Sequence, residues 1–277
     1  TVLGFLDLWY DVLDGAMNRT TATLFTNEEH GSNDVFFALN LDCDNKRRKL
    51  EEALQAIGFT WVSHQVPEHM PYGMYIYQIP PSVFKLATSR RTISSEFSAA
   101  RAGLQTSSDP LSVRYWWEVC GRAARSKPFL PFIKGGTFSR HYRDVEHVVD
   151  YSEAAKRRYD EIGRHQNQRF YLESCVSWPD VSMQLNAQYN PPGSIFSSVS
   201  WAIFVAPELK LKALAALLNS EMVNFFAAQS HDGHHWAPGV ISRIPCPRLS
   251  KNDMERLAKK SDTAYQLKQT WDTGNEI

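Results

Sequence analysis

Basic and aromatic side chains alternate in residues 127–144, and this pattern suits the binding of an anion. Pro128, Pro131 and the pair Gly135-Gly136 break any long helix or strand, so the backbone must turn here. A glycine turn lets backbone N–H groups approach an anion, and flanking cations add charge to that approach. Between positions 114 and 143 the acid Glu118 stands alone against the basic residues Arg114, Arg122, Arg125, Lys127, Lys134, Arg140 and Arg143. The alternative interpretation is an ordinary loop on an aromatic core with a solvated basic rim.

Histidines cluster in residues 229–238, where His231, His234 and His235 accompany Asp232. An H-x-x-H pair can share a cation, so a metal site is one interpretation. The region is rich in Gly and Pro, however, and no Cys or Glu lies close by, so we expect no metal here. A solvated loop, or one that faces nucleic acid, is the favoured interpretation.

The first 58 residues of the chain show an α/β pattern of predicted strands and helices. Residues 2–10 are an apolar segment, and residues 11–17 suit the start of a helix. Strands are predicted over 20–26 and 35–41, and a helix over 45–57. The last helix rests on the spacing of Leu50, Ala53 and Leu54, with Gly58 as a natural C-terminal stop. This β-loop-β-α-β order is typical of the trailing half of an α/β domain.

The rest of the chain alternates short strands with helices, after a linker at 66–71. Strands are predicted within 74–79, 113–119, 145–149, 169–178 and 194–205, the last of which holds two. Helices are predicted within 82–102, 152–162, 209–228 and 252–268. The helix over 209–228 has the strongest periodicity, with a core stripe formed by Leu211, Leu214, Leu218, Met222 and Phe225. These patterns predict an α+β fold.

Composition excludes some classes of protein. The sequence has 277 residues, 43% of them apolar, and its formal net charge is zero. These values allow a sizeable core and argue against a wholly basic nucleic-acid binder, but not against a local basic patch. The scattered cysteines predict reduced thiols and a cytoplasmic protein, without disulfides or zinc. No apolar run has the length of a membrane helix, and Thr1 begins in mid-pattern, so we expect a piece of a longer chain.

A series of short motifs in a fixed order resembles a known family of enzymes. The motifs are Gly103-Leu104-Gln105-Thr106, Arg114-Tyr115-Trp116-Trp117-Glu118-Val119, the stretch 127–136, Tyr142-Arg143-Asp144, Val148-Val149-Asp150-Tyr151, Val176-Ser177-Trp178, Pro192-Gly193-Ser194-Ile195-Phe196, Leu217-Leu218-Asn219-Ser220, Gly239-Val240-Ile241 and Ile244-Pro245. Their order and spacing resemble the C-terminal target-recognition region of adenine-specific DNA methyltransferases. The similarity is greatest to the enzymes of the BREX and DISARM phage-defence systems (PglX and DrmMI), followed by type IIG restriction-modification enzymes. It covers residues 75–248.

The resemblance implies a domain organisation. Residues 1–75 would be the tail of the methyltransferase catalytic domain, since Val12-Leu13-Asp14-Gly15-Ala16-Met17 resembles a stretch late in that domain. Residues 76–249 would form the target-recognition domain, and 250–277 a C-terminal helix. Two features depart from the family pattern. The segment after Met17 diverges, and Ser107 stands where the family usually has Gly.

The family binds S-adenosyl-L-methionine through a Gly-containing strand-turn motif and methylates with an Asn-Pro-Pro-aromatic tetrapeptide. This sequence shows neither motif. Tyr189-Asn190-Pro191-Pro192-Gly193 is similar to the tetrapeptide, but Gly193 replaces the aromatic residue that would stack on the flipped adenine. We interpret it as a turn into a strand. We therefore expect no catalytic, cofactor or metal site in this chain, and the methyl donor to bind in an N-terminal part outside this sequence.

The resulting hypothesis is a sequence-reading, DNA-binding part of an adenine N6-methyltransferase in bacterial antiviral defence, inactive alone. Its partners would be double-stranded DNA, its own N-terminal methyltransferase portion and other defence subunits, with no membrane. The candidate DNA-binding residues are Lys134, Gly135, Gly136, Arg140, Arg143, Arg114, Arg122, Arg125, Gln105 and Thr106. Lys and Arg would mostly position the duplex, whereas Gln105 or an Arg could read adenine or guanine through two hydrogen bonds.

Two alternatives belong to other classes of protein. In the first, the aromatic and basic loop docks another defence subunit or a DNA-mimic inhibitor, which neutral charge and abundant tryptophan would suit. Steep loss of duplex binding with salt would favour DNA over this alternative. In the second, the chain is a standalone hydrolase, but no Gly-x-Ser-x-Gly, paired-acid motif or phosphate loop supports that.

Overall fold

The computed structural model describes residues 1–12, 20–31, 33–64, 75, 77, 91–119, 128–230 and 235–274. Contacts divide the chain into two units. The first comprises Thr1–Arg91 with Pro245–Pro247, and the second comprises Thr92–Ile244 with Arg248–Ile277. The predicted domain organisation, with boundaries 1–75, 76–249 and 250–277, assigns these ranges to functional parts of an enzyme, and it stays a prediction.

The first unit is a four-stranded sheet with one helix. Its strands are β1 (Val2–Trp9), β2 (Thr20–Phe25), β3 (Val35–Asn40) and β4 (Thr60–Ser63), in the order β2-β1-β3-β4, and its helix is α1 (Lys46–Ala56). Strand β1 pairs parallel with β3 and antiparallel with β2, while β4 is antiparallel to β3. The predicted strands and the helix before Gly58 are confirmed. The helix start expected at 11–17 and the strand at 74–79 fall mainly outside the described residues.

Apolar residues of the strands and of α1 form the core of this unit. Phe36 and Ala38 are fully buried with Phe5 on one side, and Leu39 and Leu41 pack with Ala53 of α1 on the other. The Asn45 side chain accepts a hydrogen bond from the Arg48 N–H and so caps the first turn of α1. The helix therefore begins at a defined residue.

The second unit contains two small sheets and most of the helices. Its strands are β5 (Val113–Tyr115), β6 (Phe129–Ile133), β7 (His147–Asp150), β8 (Cys175–Pro179), β9 (Gln188–Asn190), β10 (Ile195–Phe196) and β11 (Ser200–Ile203). Its helices are α2 (Ile93–Glu96), α3 (Asp109–Ser112), α4 (Glu153–Ile162), α5 (Glu208–Leu218), α6 (Glu221–Ser230), α7 (Pro238–Arg243) and α8 (Lys251–Thr273). The sheets run β10-β6-β7-β5 and β11-β8-β9. The α+β class is confirmed.

Helix α4 packs on the sheet β10-β6-β7-β5, and its buried residues belong to the core of that sheet. Its Tyr159 is fully buried and donates a hydrogen bond from its hydroxyl to the Asp150 carbonyl at 2.7 Å. Phe132 of β6 and Val149 of β7 belong to the same cluster. Strand β6 lies inside the sheet between β10 and β7, so the turn that follows it starts from a fixed position.

The aromatic strand predicted over 113–119 is shorter than expected. Strand β5 ends at Tyr115, and Trp116–Glu118 form a 3₁₀ turn. The Glu118 carboxylate accepts a hydrogen bond from the Tyr115 N–H at 2.7 Å, which favours the turn over a longer strand. Trp116 and Trp117 are consequently half-exposed instead of alternating across a sheet.

The long helix predicted over 209–228 is two helices, α5 and α6. Asn219 ends α5, because its amide donates to the carbonyls of Ala215 and Ala187 and its oxygen accepts from the Ala187 N–H. The Ser220 hydroxyl accepts from the Val223 N–H at the start of α6. The break shifts the buried face, so Leu211, Leu214 and Leu218 are core as predicted, but Met222 and Phe225 are only half-buried. The buried residues of α6 are Val223, Phe226 and Ala227.

We expect Asn219→Ala to lower the free energy of unfolding by about 3 kcal/mol, because it leaves the buried Ala187 N–H unpaired and removes the side-chain hydrogen bonds to the Ala187 and Ala215 carbonyls. Urea denaturation followed by circular dichroism measures the change. The matched control is Asn252→Ala on the exposed face of α8, which we expect to change stability by no more than about 0.5 kcal/mol. A loss below about 1 kcal/mol for Asn219→Ala would contradict this role.

Helix α8 packs against α5. Lys212 of α5 forms ion pairs with Asp262 of α8 at 2.9 Å and with Glu208 at 3.1 Å, and Tyr265 packs edge-on against Tyr142. The Ser250 side chain caps α8 in a capping box with Asp253. Among the helices described, none combines the length and apolar character that a bilayer crossing requires.

Candidate nucleic-acid interface

The glycine turn that follows β6 lies at the surface of the second unit. Gly136 and Thr137 are exposed, and Phe138 is 53% exposed. A Cβ on Gly136 would lie 3.3 Å from Nη1 of Arg143, so glycine lets the guanidinium pack closely against the turn. The turn is therefore available to a large ligand and is not part of the core.

Arg143 is half-buried against this turn. Its guanidinium donates hydrogen bonds to the Thr137 carbonyl and, at 3.4 Å, to Oδ1 of the buried Asn186. Burial lowers the pKa of Arg143. Arg140 lies over the Phe138 ring at 5.5 Å and donates to Gln184 at 3.0 Å. Within the described ranges, neither arginine forms an ion pair with a carboxylate.

Lys134, in contrast, is paired. Its Nζ lies 2.5 Å from Oδ2 of Asp109, whose other oxygen accepts a hydrogen bond from the Thr106 hydroxyl at 2.6 Å. Burial by itself would raise the pKa of Asp109, but the hydrogen bonds from Lys134 and Thr106 outweigh it and lower that pKa. The single acid counted within residues 114–143 therefore understates the negative charge near the turn, because the fold brings in Asp109 from outside that range.

Gln105 and Thr106 have different environments. The backbone of Gln105 pairs with Arg164, and its side chain is exposed. Thr106 is 4% exposed and its hydroxyl is used by Asp109, which is a structural role. Ser107 has φ of 62°, in the left-handed region that favours glycine, which explains why glycine would suit this position.

Of the other arginines in the candidate set, Arg114 lies among the described residues. Arg114 donates from Nη1 to the carbonyls of Pro110 and Val113, each at 2.7 Å, and so joins α3 to β5. Arg122 and Arg125 lie outside the described residues. The functional assignment of all three stays a prediction.

Two clefts meet at Lys134 and Phe132. The first, of about 320 Å³, is lined by residues 134–137 of the turn, by Arg143, and by Tyr115 and His147. The second, of about 480 Å³, is lined by residues 104–110 and 197–199. The structure therefore brings the turn and the Gln105 segment together on one surface, although they are far apart in sequence.

Buried polar side chains behind the first cleft were missed in the sequence. Ser177, Gln188 and Asn190 line it, and each is less than 7% exposed. The available signal was the polar sequence Gln-Tyr-Asn of β9, since polar residues at inward positions of a strand often form hydrogen-bonded networks. Asn190 donates from its amide to the Ser177 hydroxyl at 2.9 Å and to the Gln188 carbonyl.

The Asn-Pro-Pro-Gly sequence forms the predicted turn. Asn190 ends β9, Gly193 has φ of 117°, and β10 begins at Ile195. Because Gly193 provides no ring and the chain leads directly into β10, this segment does not match an Asn-Pro-Pro-aromatic site that stacks on a flipped adenine.

The histidine cluster is only partly described, since His231, Asp232 and His234 lie outside the described residues. His235 contacts Asp180 through Nδ1 at 3.0 Å. No group of three or more potential metal ligands occurs in the part of the chain that the structure describes.

Comparison with solved structures defines the class of fold. No family model matches the sequence. The type IIL restriction-modification enzyme MmeI, solved in complex with DNA, superposes with a TM-score of 0.53 over 99% of this chain and 39% of its own, at 11% sequence identity. The type IIG restriction endonuclease BpuSI gives a TM-score of 0.36 at 12% identity, covering 94% of this chain and 38% of its own. The fold is therefore one that occurs in a restriction-modification enzyme.

Sequence comparison gives a particular relative. The chain is 22% identical to the adenine-specific methyltransferase PglX of Lacticaseibacillus casei (strain Zhang), over 85% of this chain and 22% of the relative. The predicted resemblance to adenine-specific methyltransferases of the PglX kind is thereby confirmed. The chain spans about a fifth of the length of this relative.

Proposed function

We propose that this chain recognises the DNA target of an S-adenosyl-L-methionine-dependent adenine N6-methyltransferase. The parent enzyme would act in cytoplasmic phage defence of the BREX or DISARM kind, or in restriction-modification. Similarity to PglX supports the enzyme class, and the fold shared with MmeI supports DNA as the ligand. The methyltransferase portion and other defence subunits would be its protein partners.

One observation carries the proposal. The surface turn with Lys134, Arg140 and Arg143 adjoins the cleft of the exposed Gln105, and the two arginines have no carboxylate partner among the described residues. Target recognition requires two kinds of side chain close together. Cations bind phosphates and so position the duplex, and polar side chains that reach base edges read the sequence.

Methyl transfer itself belongs outside this chain in this proposal. The sequence lacks the glycine-containing strand-turn motif for the methyl donor, and Gly193 stands where the tetrapeptide needs an aromatic residue. The described residues therefore do not fit S-adenosyl-L-methionine together with a target adenine.

Salt dependence of duplex binding tests the proposal. We expect the chain to bind a fluorescein-labelled duplex at low salt, with log K falling against log salt at a slope of about −0.9 per phosphate contact. Fluorescence anisotropy at several salt concentrations measures this slope. Absence of duplex binding, or binding independent of salt, would contradict the proposal.

A protein-docking function is the second candidate, and the exposed aromatics favour it. Tyr115, Trp116 and Trp117 are 41%, 52% and 51% exposed, and such residues often form the centre of protein interfaces. In this case binding of a defence subunit or a DNA-mimic protein would be lost on substitution of Trp116 and Trp117, with no duplex binding at any salt concentration.

We expect Asp109→Asn to strengthen duplex binding up to about fivefold, because Lys134 no longer has a carboxylate partner that competes with phosphate. Anisotropy titrations at equal salt measure the effect. Glu255→Gln on α8, which removes another half-exposed carboxylate paired with a lysine, is the control and should leave the affinity unchanged. Weaker binding by Asp109→Asn would mean that Asp109 is needed to hold Lys134 in place.

A further inference from the structure

The charges that line the first cleft are balanced. Lys134 and Arg143 contribute two positive charges, and Asp144 and Glu146 contribute two negative ones. Lys134 is in addition paired with Asp109. A phosphate enclosed in the cleft would gain little from this arrangement, since the carboxylates repel it at short range; phosphate contacts by these cations belong to the outer surface of the turn, where Arg140 also lies. The cleft therefore suits a neutral group that can both donate and accept hydrogen bonds.

One wall of this cleft is aromatic. The Tyr115 ring stacks on Trp117 with centroids 4.5 Å apart and planes 12° apart, and it contacts the His147 ring at 4.7 Å. Trp116 meets Trp117 edge-on at 5.5 Å, which fixes the orientation of the group. Tyr115 and His147 both line the cleft, and since Trp117 and His147 each contact the Tyr115 ring, a planar ligand would meet the rim of a fixed aromatic group and could contact it edge-on.

The cleft also offers a hydrogen-bond acceptor whose identity is fixed by its neighbours. The Gln188 amide nitrogen donates to the Ser139 carbonyl and to both oxygens of Asn186, so the other amide atom must be the oxygen. Gln188 is 4% exposed and lines the cleft, and within the described ranges Oε1 has no hydrogen-bond partner. A ligand here would be expected to present a donor to it.

We propose that this cleft receives a single unstacked nucleobase that carries an exocyclic amine. The base would contact the rims of the Tyr115 and His147 rings, and its amine would donate to Oε1 of Gln188. A cleft of about 320 Å³ is large enough for one base, but a base still stacked in a duplex could not be enclosed by it. This inference rests on the proposed function and adds a second mode of reading to it.

Duplexes with one bulged nucleotide test the inference, since the bulge removes most of the cost of unstacking. We expect the chain to bind a duplex with a bulged adenine or cytosine about 10-fold more tightly than the fully paired duplex, and a bulged thymine without that gain. Tyr115→Leu should abolish the preference for the bulged base while leaving affinity for the paired duplex unchanged.

A matched control is Phe138→Leu, because Phe138 is a similarly exposed aromatic residue of the glycine turn but does not line the cleft. It should retain the preference. Gln188→Met should make bulged adenine and bulged thymine equivalent, and a thermal melt checks that it folds. Equal binding of bulged and paired duplexes, or a preference that survives Tyr115→Leu, would overturn the inference and leave the proposed function standing. Failure to bind any duplex would overturn both.

Discussion

Replacing Lys134, Arg140 and Arg143 together by alanine is expected to weaken duplex binding by about 100-fold or more at low salt. Each cation that contacts a phosphate contributes about 0.9 to the salt slope, so the slope should fall by about 2.7. Fluorescence anisotropy over a series of salt concentrations measures both quantities. Lys134 must leave Asp109 to reach a phosphate, so the two arginines should account for most of the loss.

Two controls separate charge from folding in this experiment. Arg47, Arg48 and Lys251 are exposed cations of helices α1 and α8, each paired with a glutamate four residues later. Their joint replacement by alanine removes the same net charge and should change the affinity less than about threefold. Because Arg143 is half-buried, the melting temperature of each variant must also be compared with that of the parent chain. Unchanged binding by a folded triple variant would remove these residues from the interface.

Gly103→Ala is expected to be the most destabilising single substitution in the candidate interface. A Cβ at this position would lie 1.8 Å from the carbonyl oxygen and 2.5 Å from the carbonyl carbon of Phe196, which are backbone atoms that cannot rotate away. The hydrogen bond from the Leu104 N–H to the Phe196 carbonyl, at 2.8 Å, would have to break or stretch. We expect a loss of about 4 kcal/mol or more, and a fall in Tm of about 10 °C.

Gly239→Ala is the matched control for this substitution. Gly239 belongs to another of the motifs, but a Cβ there would meet no atom within 4 Å, and the residue lies in α7. Alanine favours a helix over glycine, so stability should stay the same or rise by up to about 1 kcal/mol. Differential scanning calorimetry of both variants compares the effects. A Gly103→Ala chain that melts with the parent would show that the segment 103–106 can move away from β10.

Local patterns in the sequence were sufficient for much of the fold. Helix α4 begins after Ser152, whose side chain accepts from the Ala155 N–H, and it ends at the predicted Ile162. Strand β6 ends at Ile133, just before Gly135-Gly136, as the interruption of the pattern by glycine indicated. These features depend on residues a few positions apart, so their spacing alone encodes them.

The helix over 209–228 shows where local spacing was misleading. Its apolar pattern continues through Asn219, but the Asn219 side chain binds the backbone of Ala187, which is 32 residues away in sequence. That contact exists only when β9 and α5 are already packed together. The interruption therefore depends on tertiary structure, and no window of the sequence contains it.

For this protein, the sequence by itself determined the α+β class, the position of the basic and aromatic turn, and the kinship with adenine-specific methyltransferases. Only the tertiary structure decided which charges remain available on that turn. It paired Lys134 with Asp109, buried Thr106, and brought Gln188 and Tyr115 to the same cleft. The physical reason is that periodicity reports the neighbours along a chain, whereas charge pairing and burial depend on which segments the fold brings together.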